Sequence, residues 1–457
     1  MPTTIALERH AGVRVLSWHC ALHDTRVAMK IQGTGARDPQ KSVASSGMAE
    51  RRSDGWIDAK TAAKHLGIQV RSLYAYVSRG QVRSVASEKG RPRLYALADI
   101  ERLKVRSSAR LGHGAVAAGA LRWGEPVMDS AITAITPRGP AYRGRLATEL
   151  AAAGTPFENV AELLWSGYLP TASIVWPRIA MPFGALGKLV GEGARPLDVM
   201  PLIVQLAALA DPERHDRRPD ALIARGRQVI PLLAASLAPV FNAAAMTRAL
   251  GAGSIAQVVT RALDIDESRV GIIDRTLVLL ADHELNASSF AARVAASTDA
   301  DPYACIAAAL ATVSGPKHGS ASADIAKFAD ELGTADAARS HVRSLLRKGL
   351  AVPAFGHPLY PDGDPRTQPV LDAAAEIGAS NRRAKIMFAI VDAARDLKPS
   401  VDVALAALVA ALGLDASVGP GLFALARTAG WLAHALEQRT AGYLLRPRAR
   451  YIGTPVT

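Results

Sequence analysis

From residue 146 to residue 439 the sequence is a run of Ala- and Leu-rich segments of helical length, separated by Gly, Pro or Asp. Segments 146–153, 157–166, 200–209, 231–237, 243–250 and 254–262 come first, and 274–281, 383–397, 403–412 and 421–439 follow. No strand–helix–strand alternation interrupts them, and no glycine-rich loop precedes a helix in the manner of a phosphate cradle. Aromatic residues are only 5% of the chain, which favours helices over sandwiches or barrels. The expected fold class is all-α. Segment 403–412 is apolar on nearly every side and should be buried. A chain of 457 residues is long enough for two or more domains and a large core.

Three punctuated stretches stand out among the helices. Residues 351–366 read AVPAFGHPLYPDGDPR. Pro358, Pro361 and Pro365 exclude a helix interior, so this is a loop carrying His357 and Arg366 on one stiff segment. Read alone, it could equally be a surface turn with an incidental His and Arg. Upstream lie ADHELNAS at 281–288, with His283, and SGPKHGSA at 314–321, with His318. Three histidines flanked by Gly, Pro or Asn, together with an arginine, suit a small polyanion that bears a carbonyl.

At these residues the chain resembles the citrate synthase family. GPKHGSA is similar to that family's GPxHGGA, FGHPLYPDGDPR to GHRVYxxxDPR, and ADHELNASSFAAR to ADHExNASTFAAR. LKPSVD resembles the segment with the catalytic Asp, ARTAGWLAHALEQR the Arg-bearing helix, and RPRARYIG the C-terminal arm. Tyr142-Arg143-Gly144 and the segment AELLWSGYLP at 161–170 match early family segments. The resemblance runs from about residue 126 to 453. It implies a large and a small helical domain, with the small one near 287–395, a cleft between them, and a homodimer.

The resemblance also implies roles. Joining an acetyl thioester to a 2-oxo acid needs a base at the methyl group, a donor at the thioester oxygen and a donor at the keto carbonyl. Asp402 matches the base. It opens an apolar helix, where desolvation raises basicity, though read alone it is an ordinary N-cap. His318 matches the donor to the enolate oxygen, and His357 the group that polarises the keto carbonyl. His283, Arg366 and Arg427 match the carboxylate-holding residues, and Arg446 one that reaches in from a second subunit. Read alone, Arg427 and Arg446 are solvated charges, and His434 is structural. The implied substrates are oxaloacetate and acetyl-CoA, with no permanently bound cofactor and no metal. Propionyl-CoA, giving 2-methylcitrate, is the alternative acyl donor. A DNA-binding regulator that senses oxaloacetate or an acyl-CoA without turnover is the alternative function. The chain departs from the pattern at Pro358, where the family often has Arg. It departs again at Ser320 and Ser322 in HGSAS, near the expected path of coenzyme A. Val403 to Ala406 stand where aromatic and Gly residues usually follow the base.

Charge separates off the N-terminal part. Residues 51–110 hold 14 Lys/Arg against 5 Asp/Glu, so they carry +9 of the net +13. A basic block on an otherwise balanced chain suits a polyanionic partner. From Trp56 the pattern is that of a helix-turn-helix: Asp58 as N-cap, Ala62, Ala63 and Leu66 inward, Gly67 at the turn, then Val70, Leu73 and Val77. Arg71, Ser72, Tyr74, Tyr76 and Arg79 should face outward. Residues 82–85 and 93–95 flank Lys89, Gly90 and Arg91 as a hairpin wing, and 99–103 begin a closing helix. The whole resembles a MerR-like winged helix at 54–106, which implies contact with duplex DNA through Arg71, Ser72, Tyr74, Arg91 and Arg93. A domain for protein contacts is the rival reading. Residues 1–53 read as a disordered tail, 107–125 as a linker and 126–457 as the catalytic part, with Met48 an alternative translation start. Cys20 and Cys305 give neither a disulfide framework nor metal spacing. No segment reads as a membrane span or a signal peptide, so the expected location is cytoplasmic.

Overall fold

The computed structural model describes residues 56–78, 81–85, 93–97, 99, 100, 103, 128–181, 183–191, 193–238, 241–449 and 451–454. The expected tail, the linker, Arg79 and the wing tip with Lys89, Gly90 and Arg91 lie outside the described residues. The chain divides into two units, Met1–Glu125 and Pro126–Thr457.

In the first unit Asp58 caps the helix Ala59–Leu66, accepting from the Thr61 N–H at 2.9 Å and from its hydroxyl at 2.8 Å. Gly67 ends that helix at φ +65°, a conformation in which a Cβ is unfavourable. Helix Val70–Ser78 follows and buries Leu73 completely against Ala62, Val82, Tyr95 and Ile100. A three-stranded antiparallel sheet has Leu94–Ala96 in its centre, with Ser84–Val85 on one side and Trp56–Asp58 on the other. The strand Trp56–Asp58 has no sequence signal, because three residues are too few for a period. Arg71, Tyr74 and Arg93 are exposed and Ser72 is half-buried. Tyr76 does not face outward as expected. Its ring is half-buried against the Leu73 cluster, since a phenol ring on so small a core is worth covering. Arg83 forms a fork with the buried Asp99, at 2.8 and 3.2 Å, and so closes the sheet onto the next element.

The second unit is helical apart from a small meander, Thr133–Thr136, Gly139–Tyr142 and Arg145–Leu146. Helices Phe157–Ser166, Ala243–Leu250 and Ile255–Ala262 lie where the apolar segments predict. Two helices are longer than expected, Pro196–Ala210 and Pro219–Ala235. Pro201 and Pro231 sit inside them rather than at their starts. An interior proline costs about 3 kcal/mol, and burial of Val229, Ile230, Leu232 and Leu233 around Pro231 offsets that cost.

The 24-residue helix Val418–Ala441 is the axis of the unit. Helices Phe157–Ser166, Pro196–Ala210, Pro219–Ala235, Val270–Leu280, Ala287–Ala296 and Pro302–Val313 pack against it. A second group, Ala321–Leu332, Ala335–Arg347, Thr367–Ile377, Arg382–Ala393 and Val401–Ala411, packs mainly on itself. Val401–Ala411 lies at the heart of that group and is buried almost throughout, as its composition predicts. Gly430 lets the axis approach the 281–282 turn. Its N–H donates to the Ala281 carbonyl at 3.1 Å, and a Cβ there would lie 2.2 Å from Asp282 Oδ1. No described helix is long and apolar enough to cross a membrane.

Candidate active site

Four helix-flanking segments and the axial helix bring the singled-out side chains together. His283 follows helix Val270–Leu280, His318 follows Pro302–Val313, and the 354–366 loop precedes Thr367–Ile377. Asp402 lies in the first turn of Val401–Ala411, and Arg427 lies midway along Val418–Ala441. The loop and the segment that leads into Asp402 are stitched by backbone. The Gly356 N–H donates to the Lys398 carbonyl at 2.6 Å, and the Ser400 N–H donates to the Ala354 carbonyl at 3.2 Å. The Thr367 hydroxyl adds a bond to the Pro399 carbonyl at 3.2 Å. His357 and Asp402 are therefore placed relative to one another whatever occupies the space between them.

Asp402 is not the cap of its helix. Ser400 takes that position and accepts from the Asp402 N–H at 3.2 Å. The carboxyl group is left with one long contact, 3.4 Å from the Ser400 hydroxyl. Part of the residue stays open, but the protein around it desolvates the carboxyl and pushes its pKa above the ordinary range.

The two arginines are deeply buried, at 2% exposure for Arg366 and 1% for Arg427. Asp364 grips Arg366 through a fork at 3.0 and 2.7 Å. Burial would lower the affinity of this guanidinium for its proton, but the Asp364 carboxylate outweighs it and the net shift is upward. Arg427 has no such partner. Its Nε donates to the Leu280 carbonyl at 3.0 Å and its Cζ lies 4.7 Å from the centre of the Phe423 ring. Burial pulls its pKa down to about 10, so it stays charged at neutral pH. Among the described residues, Nη1 of each arginine is buried without a hydrogen-bond partner. Unpartnered buried cationic donors are costly until a water, an ion or a ligand supplies an acceptor.

Burial holds the three histidines toward the neutral form. The His318 ring accepts at Nε2 from the Ser288 N–H at 3.3 Å, with the Ser288 hydroxyl 2.8 Å away. A backbone N–H only donates, so the His318 proton sits on Nδ1. The Ser288 hydroxyl is itself held by Trp431 Nε1 at 3.0 Å and by Asn286 at 2.8 Å. Burial, helped by Arg427, lowers the His318 pKa to about 4. His357 accepts at Nδ1 from the Leu359 N–H at 3.2 Å, which places its proton on Nε2, and burial lowers its pKa as well. The pKa of His283 is held well below the ordinary value, by burial first and then by Arg366 and Arg427. Only Gly fits at 319, because a Cβ would lie 2.2 Å from the Val313 carbonyl oxygen, and this closeness seats the His318 turn.

Arg446 lies on the exposed segment after the last helix and makes no bond within the described residues. His434 is fully buried with Nε2 3.5 Å from Asp282. Ser320 bonds to the Pro316 carbonyl and to Asp324, whereas the Ser322 hydroxyl is buried without a partner. Sequence reasoning missed Ser288, Asp364 and Tyr360 as working parts, although each lies inside a quoted motif. A hollow lined by Arg269, Asp274, Arg275 and Glu376 shares no residue with this cluster. Among the described residues no group of His, Cys, Asp or Glu is arranged to hold a metal ion.

A family model described as citrate synthase, C-terminal domain, matches residues 120–448, and one for the MerR HTH family of regulatory proteins matches 58–109. Citrate synthase 2 of Bacillus subtilis is 31% identical over 57% of this chain and 74% of that one. The 2-methylcitrate synthase of Mycobacterium tuberculosis is 27% identical over 72% of this chain and 89% of that one. A citrate synthase structure from Thermoplasma acidophilum, a ternary complex with carboxymethyl coenzyme A and oxaloacetate, superposes with a TM-score of 0.63 at 21% identity. It covers 74% of this chain and 97% of that one.

The lowered pKa of His318 has a consequence for stability. Between pH 6.5 and about 4 the unfolded chain takes up a proton that the folded imidazole refuses, so acidification through that window favours unfolding. His318→Asn should make the fall of unfolding free energy across this window less steep in urea titrations. An unchanged slope would show that the imidazole is not held neutral.

Proposed function

The chain belongs to the citrate synthase family, and we propose that it condenses acetyl-CoA with oxaloacetate to give citrate and coenzyme A. The observation that carries this reading is the pair of buried, partly unpaired guanidinium groups beside three neutral histidines and a carboxyl group of raised basicity. Arg366, Arg427 and His283 hold the two carboxylates of the oxo acid. Asp402 removes a proton from the thioester methyl group while His318 Nδ1–H donates to the thioester oxygen. The resulting enol carbon attacks the keto carbonyl, which His357 Nε2–H polarises. Water then cleaves the citryl thioester and releases the thiol. The relative that makes 2-methylcitrate supports propionyl-CoA as the alternative donor, and the ratio of kcat/KM for the two thioesters decides between them.

The protein acts as a homodimer in which Arg446 completes the partner's site. The exposed Tyr443, Leu444, Tyr451 and Ile452 around this arm support the reading. Residues 54–106 bind duplex DNA through the helix Val70–Ser78 and the wing, a reading supported by the exposed Arg71, Tyr74 and Arg93. Arg83 pairs with Asp99 while most of its side chain stays exposed.

Three outcomes are expected. Asp402→Asn should lower thiol release by about 3–5 orders of magnitude while oxaloacetate still binds. Near-normal release would remove Asp402 as the base. Dimers mixing Asp402→Asn with Arg446→Ala, each inactive alone, should regain activity in one of two sites, and verified mixed dimers without activity count against Arg446 acting across the interface. DNA binding should weaken with salt at a log–log slope of roughly −0.9 per neutralised phosphate. No binding at low salt by the folded protein would leave the domain as a protein-docking module.

A further inference from the structure

Two of the three site histidines have their tautomer set by backbone amides, and the third does not. His318 and His357 each accept from an N–H, of Ser288 and Leu359 respectively. His283 instead has Nε2 at 3.0 Å from the Tyr360 hydroxyl, and its Nδ1 has no partner among the described residues. Tyr360 is 3% exposed, and its N–H donates to the His357 carbonyl at 2.9 Å, so the ring is seated by the same turn that carries His357. The three rings form a closed triangle, with centroids 5.4 Å apart for His283–His357, 5.6 Å for His283–Tyr360 and 5.2 Å for His357–Tyr360.

Burial keeps both partners of the His283–Tyr360 bond neutral, raising the phenol and depressing the imidazole. Two neutral groups hold two protons, and one bond uses one of them. The other is left for a ligand. A phenol is the better donor of the two and an imidazole nitrogen the better acceptor. We infer that Tyr360 is a positioning residue for oxo-acid binding: its hydroxyl donates to His283 Nε2 and thereby fixes the His283 proton on Nδ1, where it meets a substrate carboxylate. Without the hydroxyl the ring can place its proton on Nε2 and offer the carboxylate a lone pair instead, which repels it. The inference rests on the oxo-acid reading above for the identity of the ligand, and not for the tautomer.

The test is Tyr360→Phe in the full chain. Calorimetric titration with oxaloacetate in the absence of acyl-CoA should give a Kd raised about tenfold. Thiol release should keep kcat within about threefold while KM for oxaloacetate rises, and the thermal midpoint should be unchanged. Unchanged affinity would overturn the inference, as would equal losses in kcat and binding accompanied by a lowered midpoint. Nitrogen-15 spectra of the histidine-labelled chain, with the His283 signals found by their loss in His283→Gln, read the tautomer directly. A proton on Nδ1 without ligand supports the inference, and a proton on Nε2 overturns it. This second readout stands even if the unsubstituted chain takes no oxaloacetate, a result that would remove the substrate reading instead.

Discussion

Two guanidinium groups inside an apolar helical core, each with one nitrogen unpaired among the described residues, are the constraint on which the rest of the helical unit turns. A buried cation is costly unless it is partnered. The fold partners each of them only partly. Arg366 is gripped along one edge by Asp364, and Arg427 is tied at Nε to the Leu280 carbonyl and laid over Phe423. The unpaired Nη1 atoms are buried, and an anionic oxygen would satisfy them. The same two cations, added to burial, keep His283 neutral, and Arg427 helps to keep His318 neutral. Buried positive charge and neutral imidazoles thus arise from one arrangement.

Close backbone approaches hold that arrangement in place. Gly319 admits the Val313 carbonyl beneath the His318 turn, and Gly430 admits Asp282 against the axial helix. The short antiparallel contact between Phe355 and Pro399 ties the His357 loop to the segment that starts the Asp402 helix. Ser400, by taking the cap, leaves the Asp402 carboxyl unbonded by backbone. None of these depends on a long or flexible side chain, which is what a site needs if its parts come from five separate segments.

Much of this was legible in the sequence, for definite reasons. Helical class followed from apolar segments with Gly, Pro and Asp between them, and Asp58, Gly67 and Leu73 carried enough chemistry to fix the first unit's helix-turn-helix. The histidines of the cluster and Arg366 were visible because Gly, Pro or Asn stands near each of them. Arg427 was not distinguishable from a surface arginine except through its motif, since the residue's own letter says nothing about burial at 1% exposure. Pro201 and Pro231 misled the helix boundaries, because long-range packing decides whether a proline is tolerated. The Ser288–His318 and Tyr360–His283 bonds join residues 30 and 77 positions apart, and no local pattern encodes such pairings.

On the proposed function, the Nη1 atoms of Arg366 and Arg427, unpaired among the described residues, receive the substrate carboxylates. A crystal structure of the full chain with oxaloacetate tests it most directly. Carboxylate oxygens are expected within about 3 Å of both Nη1 atoms, with the keto oxygen toward His357. Oxaloacetate bound elsewhere, with both Nη1 atoms still unpaired, would contradict it.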